Sequence, residues 1–147
     1  MKKEIYLDMD GTFVDLYGVE NWLFDLVNGY PRPYIEAKPL CSLCWLSRTI
    51  HELQNAGFKV GIISWTAKNS SRAYEYQVID AKTQWLKKHL PTVDFDYIHI
   101  VSYGTPKETL GTGYLFDDEE PNRQAWNGIA FDEKDLIKTL RKLLKEV

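Results

Sequence analysis

Cysteine and histidine are both scarce: the 147 residues hold two cysteines and three histidines. The cysteines form a single CxxC pair, Cys41 and Cys44. A redox pair of this kind follows a strand, and a zinc site needs further ligands. No second cysteine pair exists, and His51 is the only histidine nearby. The pair opens an apolar, helix-like run, so the thiols are expected to pack around that helix. Positive charge is also short. Eighteen Lys and Arg stand against 21 Asp and Glu, a net charge of −3. That balance disfavours duplex nucleic acid as a partner and leaves mononucleotides open. No apolar run approaches the length of a membrane span, so no membrane partner is expected. The opening "MKKEIYLD" reaches acid within a few residues and lacks the form of a signal peptide, so the expected location is cytoplasmic. Repeats, low-complexity tracts and linkers are absent as well. A chain 44% hydrophobic and 27% charged remains, and its length suits one domain, 1–147, with a sizeable core.

Apolar runs that read as strands fall at 4–7, 58–64, 97–101, 113–118 and 129–131. Between them lie helical patterns. One short helix is expected near Val19–Val27, stopped by Asn28-Gly29. A longer one opens at Pro39 and runs to about Ala56, with Gly57 as its C′ residue. A third spans 79–90, with Ile79, Trp85, Leu86 and Leu90 near one face and Pro91 at its end. Residues 65–77 are polar and carry no clear period. A short helix begins at Pro121. The last helix carries the stripe Leu136, Leu140, Leu143, Leu144 and Val147, with Asp132 as its expected N-cap. Strands alternate with helices, and the strands are apolar throughout rather than alternating. The expected fold is therefore α/β, a parallel sheet with helices on both faces. An aromatic insert, about 13–39, follows the first strand.

Ligands in such sheets sit beyond the carboxyl ends of the strands. There the first strand meets Asp8 and Asp10, in "IYLDMDGT", and the second meets Ser64. Lys107 follows the third, and the fourth meets Asp117 and Asp118. Carboxylates gathered in this way repel one another unless a cation joins them. A set of oxygen ligands without Cys or His suits Mg2+, and Mg2+ leads to phosphoryl chemistry. Lys107 offers a charge and Ser64 a hydroxyl to a phosphoryl group. Thr66 competes with Ser64 for that part. Lys82 and Lys68 compete with Lys107, which is preferred because it follows a strand rather than lying inside a helix.

The order DxDGT, strand-end Ser, Lys, then strand-end DD resembles the haloacid dehalogenase (HAD) superfamily of phosphatases, over Ile5 to about Phe131. The resemblance implies a Rossmann-like sheet, with the insert as a small helical cap. It implies Asp8 as nucleophile and Asp10 as general acid and base. It places Ser64, Lys107, Gly11 and Thr12 at the phosphate. Mg2+ would be held by Asp8, Asp117, Asp118 and the main-chain carbonyl of Asp10. Within the superfamily, "AKTQWLKKHLP", "DFDYIHIV" and "GYLFDDEEPN" resemble the 5′(3′)-deoxyribonucleotidase group, as does the aromatic insert. Thr12-Phe13 and Ser64-Trp65-Thr66 depart from that group.

The function expected on this basis is Mg2+-dependent hydrolysis of a small-molecule phosphate ester, a (deoxy)nucleoside monophosphate before others. Phe13, Tyr17 and Trp65 are the rings expected to meet the base. The alternatives are sugar phosphates or polynucleotide ends on the same fold, or capture of a nucleotide without turnover. A receiver-type phosphoacceptor fits less well, because there the lysine comes last.

Overall fold

The computed structural model describes residues 3–132 and 134–147. Met1 and Lys2, which bear on the leader expectation, lie outside the described residues, as does Glu133 in the expected start of the last helix. The chain opens with β1 (Glu4–Leu7). The insert then holds β2 (Val14–Asp15), α1 (Trp22–Val27), α2 (Arg32–Glu36) and β3 (Lys38–Pro39). There follow α3 (Leu43–Asn55), β4 (Lys59–Trp65), α4 (Arg72–His89), β5 (Tyr97–Val101) and β6 (Tyr114–Phe116). The chain closes with α5 (Glu120–Ala125), β7 (Ile129–Phe131) and α6 (Leu136–Lys145).

Five of these strands form one parallel sheet in the order β5-β4-β1-β6-β7, the α/β architecture expected. The chain winds from β1 outward through β4 to β5, then returns to β6 on the other side of β1. The crevice between β1 and β6 is thus the switch point of the sheet, where such folds open a ligand site. Side chains alternate along β1. Ile5 and Leu7 enter the main core with Val60, Ile62, Leu46, Ile50, Leu53, Leu136, Leu140 and Leu143. Tyr6 points the other way, to Ile63, Leu115 and Trp126. Truncating a fully buried leucine such as Leu46 to alanine costs about 2–5 kcal/mol.

Several boundaries differ from expectation, and side-chain caps explain most of them. Pro39 does not open a helix. It pairs with Val14 in the two-stranded antiparallel ribbon of β2 and β3, whose edge tolerates a residue without an N–H. α3 starts instead after Ser42, whose hydroxyl accepts from Trp45 N at 3.3 Å. α4 begins two turns earlier than its apolar pattern, because Ser71 caps it by accepting from Tyr74 N at 3.1 Å. Its buried face is Val78, Ala81, Lys82, Trp85 and Leu86, with Ile79 only partly buried. The N-cap of α6 is Asp135 rather than Asp132, and Val147 is exposed. Cys41 is half-buried against the core, whereas Cys44 is exposed. Among the described residues no helix is long and apolar enough to cross a membrane.

The insert is seated on α4. Trp85 donates its indole N–H to Ala37 O at 2.8 Å, and Tyr74 donates its hydroxyl to Tyr30 O at 3.0 Å. Inside the insert, Arg32 joins α2 to the buried Asp25 of α1, with Nε 2.6 Å from Oδ2.

Candidate active site

The backbone leaves β1 through a tight turn. Asp8 N still donates to Phe116 O at 2.9 Å, so Asp8 is held in sheet geometry. Met9 O then accepts from the amides of Thr12, Phe13 and Val14 at 3.0–3.1 Å. This reversal requires Gly11. Its φ is +81°, a region that favours glycine, and a Cβ there would run into the Asp118 carboxylate. Gly11 thus serves the approach of β1 to Asp118.

Across the switch point, Asp117 is fully buried and heavily bonded. Its Oδ2 accepts from Lys107 Nζ at 2.6 Å and Asn122 Nδ2 at 3.1 Å, and its Oδ1 from Glu119 N at 2.9 Å. Lys107 also donates to Asp8 Oδ1 at 3.1 Å and lies over the Trp65 ring. Burial works against the Lys107 charge, but Asp8 and Asp117 outweigh it, and the ammonium is held above its ordinary range. Burial pushes the Asp8 carboxyl well up. Lys107 opposes that shift, while Asp117 and Asp10 add to it. Asp118 is raised to about 6, by burial first and by Asp117 next.

The residues present fit a divalent cation. Asp8, Asp117 and Asp118 each bring one carboxylate oxygen within 4.8 Å of the others. Asp118 Oδ1 is buried and, among the described residues, without a hydrogen-bond partner. The donor set is hard oxygen, as Mg2+ prefers. Lys82 pairs with Asp10, so Lys107 is the ammonium shared by Asp8 and Asp117 of the acidic set, and a cation there would meet more carboxylates than lysines. The Asp10 side chain lies outside that acidic set. Its carboxylate is held by Lys82.

Asp8, Asp10 and Lys107 border a cavity of about 250 Å³. One wall comes from the insert, with Leu16, Tyr17, Trp22 and Tyr34. The other carries Trp65, Thr66, Lys68 and Tyr103. Tyr17 meets Trp22 edge-on at 5.0 Å between ring centroids, and Trp65 leans on Tyr103 at 4.9 Å. The Tyr17 phenol is pushed up by burial, then by Asp10 and Asp118, so it stays a hydroxyl donor.

The other expected residues fall elsewhere. Phe13 does not reach the cavity. It is fully buried against Trp85, at 5.9 Å between ring centroids, because the tight turn at Met9 folds it into the core. Ser64 is also fully buried, and its hydroxyl accepts from Lys82. Thr66 is the hydroxyl residue that lines the cavity. Gly11 and Thr12 lie on the far side, beside Asp117 and Asp118, and the Thr12 hydroxyl is buried and, among the described residues, unpaired. The residue that strand-end reasoning set aside is Lys82. It bonds Asp10 at 2.7 Å from the middle of α4. Its signal was available: it is a lysine in the buried i, i+3, i+4 stripe of Val78, Ala81 and Trp85. Asn122, which supports Asp117, had no comparable signal.

The fold and the strand-end carboxylates together define a Rossmann-like α/β protein with an acidic switch-point site. A solved structure with this fold is a D,D-heptose 1,7-bisphosphate phosphatase from Burkholderia thailandensis. The likeness covers 97% of this chain and 99% of that chain, at 13% sequence identity and a TM-score of 0.50. At that identity it establishes the shared fold. No protein-family model matches the sequence, and no curated protein matches it.

Proposed function

We propose that this protein is a Mg2+-dependent phosphomonoesterase of the HAD type, with a nucleoside monophosphate as its favoured substrate class. The observation that carries this reading is the grouping at one switch point. Asp8 and Asp10 border the cavity, Lys107 joins Asp8 to Asp117, and Asp118 completes the acidic set. In this mechanism Asp8 attacks phosphorus, and the bond to the leaving alkoxide breaks as Asp10 delivers a proton to it. Asp10 then takes a proton from water as that water attacks the aspartyl-phosphate, which frees Asp8 and releases phosphate. An ammonium has three N–H groups, and Lys107 spends two on Asp8 and Asp117, so one remains for a phosphoryl oxygen. Asp8, Asp117 and Asp118 would hold Mg2+, which would supply neutralising charge to the phosphoryl group.

Tyr17 and Trp22 on one wall and Trp65 and Tyr103 on the other support a planar base in the substrate. The test is phosphate release with Mg2+ over nucleoside monophosphates, sugar phosphates and 5′-phosphorylated oligonucleotides. Release from a mononucleotide, abolished in Asp8→Asn, is expected. A preference for sugar phosphates or oligonucleotide ends would keep the chemistry and replace the substrate class. Wild type and Asp8→Asn equally inert on the whole panel would contradict the proposal.

A further inference from the structure

The two buried lysines of the site have different surroundings. Lys82 sits in the buried stripe of α4 and is only 1% exposed. A buried ammonium needs its donors satisfied. Lys82 meets that condition: Nζ donates at 2.7 Å to each of Asp10 Oδ2, Ser64 Oγ and Trp65 O. The Tyr34 ring faces it at 5.2 Å. All three N–H groups are therefore spent, and none is left for a phosphate. Lys107, with two acceptors among the described residues, keeps one.

We propose that Lys82 is a positioning residue for Asp10: it fixes one carboxylate oxygen, Oδ2, so that the other, Oδ1, carries the proton to the leaving group. This rests on the phosphatase function proposed above. Three features make the clamp rigid. Ser64 and Trp65 are the last two residues of β4, so the ammonium is anchored on the sheet. The main chain of α4 is fixed by the Ser71 cap and by Trp85 on Ala37. The carboxylate it holds is itself only 15% exposed. In the first half of the reaction the proton on Asp10 Oδ1 passes to the ester oxygen as its bond to phosphorus breaks. In the second half, water returns a proton to the same oxygen. Lys82 keeps its own protons throughout.

The leaving group separates this role from phosphate binding and from plain support of the fold. An alkyl phosphate needs a proton on its departing oxygen, whereas 4-nitrophenolate leaves without one. In Lys82→Met, kcat/KM with Mg2+ should fall about 10²-fold or more for an alkyl monophosphate, the scale of lost general acid catalysis. For 4-nitrophenyl phosphate it should stay within about tenfold of wild type. Lys82→Met/Asp10→Asn, which removes both members of the pair, guards against a single variant that fails to fold. Its kcat/KM on 4-nitrophenyl phosphate should match that of Asp10→Asn alone. Equal losses on both esters, or a further loss in the double variant, would overturn the assignment of Lys82 while the phosphatase function stood. A wild type inert on both esters would overturn that function, and this proposal with it.

Discussion

Asp8 and Asp117 stand at the carboxyl ends of adjacent parallel strands and share one ammonium, that of Lys107, at 3.1 and 2.6 Å. Side-chain exposure is 2% for Lys107 and 0% for Asp117, so solvent does little to screen the pair. Removing one partner of such a pair leaves a buried charge uncompensated, which costs about 3–5 kcal/mol. Lys107→Met should lower unfolding free energy by that order in metal-free urea titrations. Added Mg2+ should recover part of the loss, because it neutralises the same carboxylates.

Metal binding at the acidic set, as proposed, would be linked to pH. Asp118 is raised in the folded protein from its ordinary 3.8 to about 6. A carboxyl raised on folding favours the folded state when protonated. Its stabilising contribution is full below about 4 and is lost as pH rises through about 6. Mg2+ takes the opposite side, since it binds the ionised form. The rise in Tm on adding Mg2+ should therefore be larger at pH 7.5 than at pH 5, and Asp118→Asn should flatten that difference. An equal rise at both pH values in wild type would contradict the metal site.

Gly11 places the β1 turn against Asp118. Gly11→Ala adds a Cβ at φ +81° that meets the Asp118 carboxylate. The carboxylate must move, and disturbing a metal ligand's support lowers affinity by about ten- to a hundredfold. Calorimetric Mg2+ titration checks this, with Gly57→Ala as a control for the backbone strain. Gly57 also has positive φ, at +99°, but among the described residues a Cβ there meets nothing within 4 Å.

The three aromatic candidates should separate by readout. Phe13→Ala opens a cavity beside Trp85 and should cost about 3–5 kcal/mol of stability, with KM for the best nucleotide little changed. Tyr17→Ala and Trp65→Ala should raise that KM with smaller losses of stability, since both rings line the cavity. Parallel thermal melts and steady-state kinetics distinguish the two outcomes.

The sheet was legible because its five strands are apolar runs, each bounded by polar or turn residues. The acids at its edge were legible because they follow those runs directly. Helix starts were not, since a cap such as Ser71 stands outside the apolar period it serves. Phe13 was misplaced because proximity in sequence to Asp10 does not fix which way a tight turn sends a side chain. Ser64 and Lys82 share a cause. A strand-end hydroxyl can face the cavity or the adjacent helix, and only the three-dimensional register shows that Ser64 faces Lys82 while Thr66 reaches the cavity. A lysine in an apolar helical stripe was the one visible trace of that arrangement.

In the proposed reaction Asp8 takes the phosphoryl group and Asp10 moves the proton. Mass spectrometry of Asp10→Asn, quenched in acid after brief reaction with 4-nitrophenyl phosphate and Mg2+, tests it most directly. One added phosphoryl group is expected on the peptide that contains Asp8, absent from Asp8→Asn treated alike. A phosphoryl group on any other residue, or none in a variant that still releases a stoichiometric burst of 4-nitrophenol, would contradict it.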